Sequence, residues 1–401
     1  MLPETLRFDF PILQKRIAGK PIIYFDNACM TLKPTPVIAA MDDYYENFPA
    51  CVGRSAHKLG KLATERYAKA REKVAKLIGA KPEEVVFTRN TTEGINLIAN
   101  CFNLKSGDVV LTTDKEHNSN LLPWQQLKEK GVVHRICFSK PDGTFDLESF
   151  KKNLDGTVKL VSMVHTSNLD GTTIPVEQII KLAHANGSLV LLDAAQSVPH
   201  KKIDVKKMDV DFLAFSGHKM CGPTGVGVLY GKFELLKQLK PFMVGGDTVK
   251  TTTYTSAEFL LPPEKFEAGL QNYAGAIGLG TAAEYLQKIG LENIEKHEIE
   301  LNKFITEEIS KIPGVKILGP QNPELRCGII SFVVEGMDMH YIAQLLDNLE
   351  NIAVRSGQHC VHSWFNANKV PGSVRASLYF YNTKEEAKIF IDTLKKICAL
   401  R

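Results

Sequence analysis

From residue 85 to about residue 235, short β-branched apolar runs alternate with segments of helical period. This alternation constrains the fold more than any other feature of the 401-residue chain. Val85-Val-Phe87, Val109-Val-Leu111, Leu160-Val-Ser-Met-Val164, Leu189-Val-Leu-Leu192, Phe212-Leu-Ala-Phe215 and Gly227-Val-Leu-Tyr230 read as strands. Gly60 to Leu77 (closed near Gly79), Thr91-Thr-Glu-Gly-Ile-Asn-Leu-Ile-Ala99 and Pro175 to His184 (stopped by Asn186-Gly187) read as helices. Strands joined by crossover helices build a largely parallel sheet covered on both faces. Such sheets take their ligands at the carboxyl ends of the strands. The chemically loaded residues fall there: Thr91, Thr92, His117, Asn168, Asp193, Gln196 and Lys219.

The pattern changes beyond Gly278. A helical stretch from about Ala282 to Ile312 precedes the strand Gly328-Ile-Ile-Ser-Phe-Val-Val334, and Val374-Arg-Ala-Ser-Leu-Tyr-Phe380 follows later. The last helix opens on the capping box Thr383-Lys-Glu-Glu386 and keeps Ile389, Phe390, Leu394 and Ile397 on one side. The expected layout is a large α/β domain over residues 21–270 and a smaller α+β domain over 271–401. Residues 1–20 are expected to pack on the small domain. A net charge of +4, spread over interleaved lysines and acids, argues against a nucleic-acid partner. No apolar run reaches membrane-spanning length, and Glu4, Arg7, Asp9 and Lys15 break up any secretory leader. The eight cysteines include no CxxC pair, so they read as reduced thiols of a cytoplasmic protein.

Several residues together describe a site for a flat, phosphate-bearing carbonyl cofactor. Lys219 ends Phe215-Ser-Gly-His-Lys219 and is followed by Gly222-Pro-Thr-Gly225. A surface lysine in a Gly-rich turn is the commoner arrangement. Here Ser216 and His218 suit an anion beside the amine, and a lysine withdrawn from water attacks carbonyls. Asp193 ends a buried strand, where a carboxylate needs a cationic partner such as a pyridinium nitrogen. Asn90-Thr91-Thr92 opens a helix whose free N–H groups suit a phosphate, and His117 suits stacking on a ring and handling protons.

With these residues in place, the sequence resembles the class V, fold-type I pyridoxal-phosphate enzymes, and among them the SufS-like (group II) cysteine desulfurases. Thr91-Thr-Glu-Gly-Ile-Asn-Leu97, Phe215-Ser-Gly-His-Lys219, Gly222-Pro-Thr-Gly225, Phe266-Glu-Ala-Gly269 and Arg355-Ser-Gly-Gln-His-Cys360 carry the resemblance. It runs from Tyr24-Phe-Asp-Asn-Ala28 to Arg375-Ala-Ser-Leu-Tyr-Phe-Tyr-Asn382. It implies a mostly parallel seven-stranded sheet in the large domain, and Lys219 as the Schiff-base lysine. Asp193 is implied on the pyridine nitrogen, with Gln196 and Asn168 near the phenolic oxygen and His117 on the ring. Thr91, Thr92, Ser216 and His218 would hold the phosphate. Arg375 would clamp the substrate carboxylate, with Ala28, Asn168 and Arg355 also at the substrate. Cys360 would take sulfur from L-cysteine as a persulfide, its thiolate favoured by Arg355 or His359. The family forms homodimers, so Arg54 and the Gly269 region would serve the neighbouring site. The implied partner is a sulfur acceptor or scaffold protein of iron–sulfur cluster assembly.

The sequence departs from the family at several positions. Gly53-Arg-Ser-Ala-His57 lacks the first histidine of HRGxH, Leu270 replaces a threonine, and Val361-His-Ser-Trp364 replaces a small-residue and proline run. Cys29, Cys51 and Cys221 add thiols at family positions near the cavity. With Cys360 they form a candidate group to relay sulfur or to hold a soft metal or iron–sulfur cluster. Separate reduced cysteines are the simpler reading, because no spacing motif supports ligation. Two alternatives to a desulfurase stay open: a selenocysteine lyase, and a sulfur or cluster carrier on the same scaffold.

Overall fold

The computed structural model describes residues 2–400. Its main sheet has seven strands: β1 (Val85–Thr88), β2 (Val109–Thr113), β3 (Val133–Cys137), β4 (Val158–Val164), β5 (Leu189–Asp193), β6 (Phe212–Ser216) and β7 (Gly227–Gly231). Their order is β1-β7-β6-β5-β4-β2-β3. Pairing is parallel from β3 through β6, and β7 runs antiparallel to both β6 and β1. The loop from Gly217 to Val226 is too short for a crossover helix, so β7 must turn back beside β6. Strand β3 is the one that the apolar pattern does not announce. Its first four residues, including His134 and Arg135, are exposed or half-buried at the sheet edge.

Helices cover both faces. One face carries α1 (Thr35–Asn47), α2 (Lys58–Ile78) and a later helix, Tyr273–Ile289. Tyr44, Tyr67, Val74, Ile277 and Leu286 pack there with Val85, Leu111 and Leu192 of the sheet. The other face carries α3 (Thr91–Cys101), whose Ile95 and Ile98 pack with Leu160, Leu191 and Trp124. A buried clamp fixes α2 to β1. The Arg71 guanidinium donates to both Glu267 oxygens at 2.7 and 2.8 Å and to the Val85 carbonyl at 2.6 Å. Glu267 also accepts from the Tyr67 hydroxyl and the Phe87 N–H. Glu267 of the Phe266-Glu-Ala-Gly269 motif is therefore a structural anchor.

The second core lies on a four-stranded antiparallel sheet of β8 (Val315–Ile317), β9 (Ile329–Val334), β10 (Arg355–Gly357) and β11 (Ser373–Ser377), in the order β8-β9-β11-β10. Leu301, Ile305, Phe332, Leu346, Val374 and Phe390 fill it. The helix expected from Ala282 to Ile312 is two helices, Tyr273–Ile289 and Leu291–Ile309. Gly290 separates them with φ +89°, a conformation that favours glycine. Tyr273–Ile289 belongs to the first core and Leu301 onward to the second. The change of core thus falls inside the second of these helices, later than the expected 270/271 boundary. Residues 1–20 straddle both bodies. Phe10 and Leu13 join the first core, whereas Lys20 pairs with Glu350 beside the small sheet. Ile23–Tyr24 likewise pairs with Ile352–Ala353 of the small body.

Candidate active site

The carboxyl ends of β1, β4, β5 and β6 meet β10 and β11 around a cavity of about 230 Å³. At one end of it, α3 presents its first turn. Asn90 caps that helix by accepting from the Glu93 N–H at 3.1 Å. The Thr91 N–H donates to Ser216 Oγ at 2.9 Å, and the Thr91 and Ser216 hydroxyls lie 2.6 Å apart. A Cβ on Gly227 would sit 2.6 Å from the Asn90 Cα, so β7 needs a glycine for the helix start to come this close. Thr92 and His218 complete this end of the lining. The arrangement suits an anion: the positive end of a helix with hydroxyl donors around it.

Lys219 follows β6 on a short 3-10 turn and enters the same cavity. Burial lowers its amine pKa, and the neighbouring Asp193 opposes that shift. Asp193, at the end of β5, is only 3% exposed. Burial raises its carboxyl pKa, while Lys219 and a 3.0 Å hydrogen bond from the Ala195 N–H pull it down. His117 lines the cavity with its ring held by Ser119. The Ser119 N–H donates to His117 Nδ1 at 3.1 Å, and Ser119 Oγ is 2.9 Å from the same nitrogen. A ring whose Nδ1 accepts carries its proton on Nε2. Burial, with Lys219 and Arg375 nearby, holds the His117 pKa down at about 3, so the ring is neutral. Ser119 Oγ also contacts Thr92 Oγ1 at 2.7 Å, tying the histidine to the anion end.

Arg375 on β11 forms the opposite wall, 3% exposed. It donates to the Asn168 carbonyl at 2.9 Å and faces Asp26 at 3.6 Å, and its Nε has no protein partner. Asp26 also faces Arg355 at 3.9 Å. Asn168 Nδ2 donates to the His359 carbonyl at 2.7 Å. The Asn118 N–H donates to the Cys360 carbonyl at 2.8 Å, and Asn118 Nδ2 lies 2.9 Å from His362 Nδ1. His359 and Cys360 both have left-handed φ, +50° and +59°. The turn carrying the thiol is therefore tethered at two successive carbonyls, which compensates a conformation unfavourable for these residues.

These residues fit pyridoxal phosphate. The buried Gln196 Oε1 has no protein partner, while its Nε2 donates to the Ala28 carbonyl at 2.6 Å. The buried Asp193 carboxylate has no arginine paired with it, and hydroxyls and N–H groups gather at one helix start. A flat group bearing a phosphate, a phenolic oxygen and a ring N–H matches this donor set.

All the expected cofactor residues line one cavity: Thr91, Thr92, His117, Asn168, Asp193, Gln196, Ser216, His218 and Lys219. So do Ala28, Arg355, Arg375 and Cys360. The four thiols do not converge. Cys29 lines the cavity with Cys360, but Cys51 is exposed elsewhere and Cys221 is buried in the first core. Burial pushes the Cys221 thiol pKa up to about 12. Among the described residues, no group of three His, Cys, Asp or Glu side chains is placed to hold a metal. His359 does not supply a cation to Cys360 either. Burial and the two arginines hold its pKa down at about 2. Arg54 lies outside the cavity lining, paired with Asp247, and Leu270 is 71% exposed. Asp26, Asn118 and Ser119 are site residues that sequence reasoning missed. Ser119, two positions after His117, was the one with a local signal.

The aminotransferase class-V family model matches residues 23–390. A probable cysteine desulfurase of Synechocystis sp. is 46% identical over 407 residues, spanning 98% of this chain and 95% of its own. A second, from Halalkalibacterium halodurans, is 43% identical over 392 residues, spanning 96% and 95%. Among solved structures, an apo cysteine desulfurase from Thermococcus onnurineus NA1 superposes with a TM-score of 0.95 at 39% identity, covering 100% of this chain and 99% of that one. The S-sulfonic acid form of the Escherichia coli cysteine desulfurase CsdA gives a TM-score of 0.92 at 32% identity, with the same coverage.

Proposed function

The chain belongs to the aminotransferase class-V family, and from that premise we propose that it is a pyridoxal-phosphate-dependent cysteine desulfurase. It converts L-cysteine to L-alanine and leaves the sulfur as a persulfide on Cys360. The observation that carries this reading is a single cavity shared by a half-buried lysine, a buried arginine and an exposed thiol on a tethered turn.

Lys219 would hold the cofactor carbonyl, Asp193 its ring nitrogen, Gln196 its phenolic oxygen, and Thr91, Thr92, Ser216 and His218 its phosphate. When bound, pyridoxal phosphate supplies an electron sink that acidifies the substrate Cα–H and lets the Cβ–S bond break. Arg375 receives the substrate carboxylate on its unpartnered face, held in place by Asn168 and Asp26. The Lys219 amine, its pKa lowered by burial, takes the Cα proton as a free base. The Cys360 thiolate attacks the substrate sulfur. A new S–S bond forms as the Cβ–S bond breaks, and its electron pair stays with the carbon skeleton. Protonation of that skeleton gives alanine. Neutral His117 keeps an N–H on Nε2 and so orients polar atoms in the cavity without adding charge. With His359 neutral, Arg355 is the cation of the Arg355-Ser-Gly-Gln-His-Cys360 stretch that lines the cavity with the thiol. The reading extends to a homodimer, with Arg54 and the exposed Leu270 region at the neighbouring subunit. It also extends to a sulfur acceptor of iron–sulfur cluster assembly in the cytoplasm. Among the described residues, no helix is long and apolar enough to cross a membrane.

The test follows alanine and sulfide together after cysteine is added to the pyridoxal-phosphate-loaded protein. Equal amounts of both under thiol reductant, lost in Cys360→Ser, are expected. Turnover of selenocysteine alone, unaffected by that substitution, would instead make the protein a selenocysteine lyase. Cofactor binding with no alanine would make it a carrier.

A further inference from the structure

Two thiols, not one, open into the catalytic cavity. Cys29 lines it together with Cys360, and the Lys219 amine interacts electrostatically with both. The position of Cys29 is fixed by buried hydrogen bonds on the preceding residue. The Ala28 N–H donates to Ser377 Oγ at 2.9 Å, and the Ala28 carbonyl accepts from Gln196 at 2.6 Å. The Cys29 N–H closes the turn onto the Asp26 carbonyl at 3.1 Å. Cys360 sits on its own tethered turn across the same space. Neither the desulfurase chemistry nor the packing uses Cys29. Its thiol is half-buried and outside the hydrophobic clusters, unlike Cys221 and Cys327.

We propose that Cys29 is a second sulfur acceptor, which takes the outer sulfur from the Cys360 persulfide and frees Cys360 for another turnover. This rests on the desulfurase reading above. The step needs no added oxidant. The Cys29 thiolate attacks the outer sulfur of Cys360–S–SH, a new S–S bond forms on Cys29, and the S–S bond to Cys360 breaks. Cys360 leaves as a thiolate and regains the proton that Cys29 gave up. The persulfide carries its outer sulfur one S–S bond, about 2 Å, beyond the Cys360 thiol and into the cavity that Cys29 shares. The Arg375 guanidinium, which interacts with Cys29, places positive charge beside a sulfur anion arriving there. Cys360 faces solvent and is suited to passing sulfur out, whereas Cys29 is the more shielded store.

The relay predicts two stored sulfur atoms per chain. In the first turnovers after a few equivalents of cysteine are mixed in, with no other thiol or acceptor added, the pyridoxal-phosphate-loaded protein should release an alanine burst of two equivalents ahead of the slower phase in which free cysteine draws off the stored sulfur. Cys29→Ser and Cys29→Ala should each release one, whatever their rates. Native alkylation followed by peptide mapping should find persulfide on both thiols of the unaltered protein, and on neither in Cys360→Ser. A burst of the same size in all three proteins, or persulfide on Cys360 alone, overturns the relay but leaves the desulfurase standing. Persulfide on Cys29 in Cys360→Ser shows direct attack and also overturns it. Absence of both alanine and persulfide overturns the desulfurase reading and the relay with it.

Discussion

Arg375 can grip a substrate carboxylate only if its guanidinium is held at the right angle, and Asp26 is the acid beside it. Burial raises the Asp26 carboxyl pKa, while Arg375 and then Arg355 draw it back down. Asp26→Asn keeps the shape and removes the charge. The expected outcome is a rise in KM for cysteine of about tenfold, the worth of one charge-assisted contact, with kcat changed less. Steady-state alanine formation measures both, and an unchanged KM would show that Asn168 alone orients the arginine. The contrast between Asp26 and its neighbours shows what sequence can reveal. Lys219, Asp193 and Thr91 stand at or within three residues of strand ends, so local chemistry announces them. Asp26 acquires its role only when Phe25 and Ser377 hydrogen-bond across the chain and bring it beside Arg375. His359 shows the reverse. A histidine next to a reactive cysteine suggests a cation, yet burial between two arginines keeps it neutral.

Strands that lie in the sheet interior were legible because both faces are apolar, as in β6 and β7, where every residue is buried. Edge strand β3 was not, because one face meets water and the alternation loses contrast. The break at Gly290 was hidden for a different reason. The helical period continues on both sides, and only the backbone angle reveals the stop. Tertiary pairing also gave Glu267 a role that its motif did not. It joins α2, β1 and the segment leading to Gly269 through one buried ion pair and two further hydrogen bonds. Glu267→Gln leaves the Arg71 charge buried without its counterion, and breaking such a pair costs about 3–5 kcal/mol. Urea unfolding of the variant should show that loss. None of Tyr67, Arg71 and Glu267 lines the cavity, so the cofactor-loaded variant should keep most of its activity below its unfolding midpoint. A stability equal to that of the unaltered protein would mean that Tyr67 and the backbone donors replace the pair.

The two bodies close on each other around groups whose protonation states differ between the folded and unfolded chain, so acid stability is a property of the assembled structure. These groups act in opposite directions. His117, His165 and His359 have folded pKa values held down at about 3, 3 and 2, below the ordinary 6.5. Such a group supports the fold fully above pH 6.5, and the support drains away as pH falls towards the folded value. Buried carboxyls oppose this. Burial raises Glu116 to about 8, and it raises Asp193 and Glu298 as well. Their contribution is greatest below the ordinary carboxylate pKa and is lost as pH rises through the folded values. The net curve can therefore be nearly flat, and a single melting curve against pH identifies no group. His165 isolates one side of the balance. It is buried, its Nδ1 has no partner, and burial with the nearby Lys201 charge accounts for its shift. In His165→Asn the acid-sensitive group is gone while the carboxyls remain. Between about pH 7.5 and pH 5 the unaltered protein should lose about 2 kcal/mol relative to this variant, from the 1.5 pKa units that separate pH 5 from 6.5. Denaturant unfolding at both pH values measures that difference of differences. Parallel pH dependence in the two proteins would mean that His165 takes up a proton in the folded state as readily as in the unfolded chain.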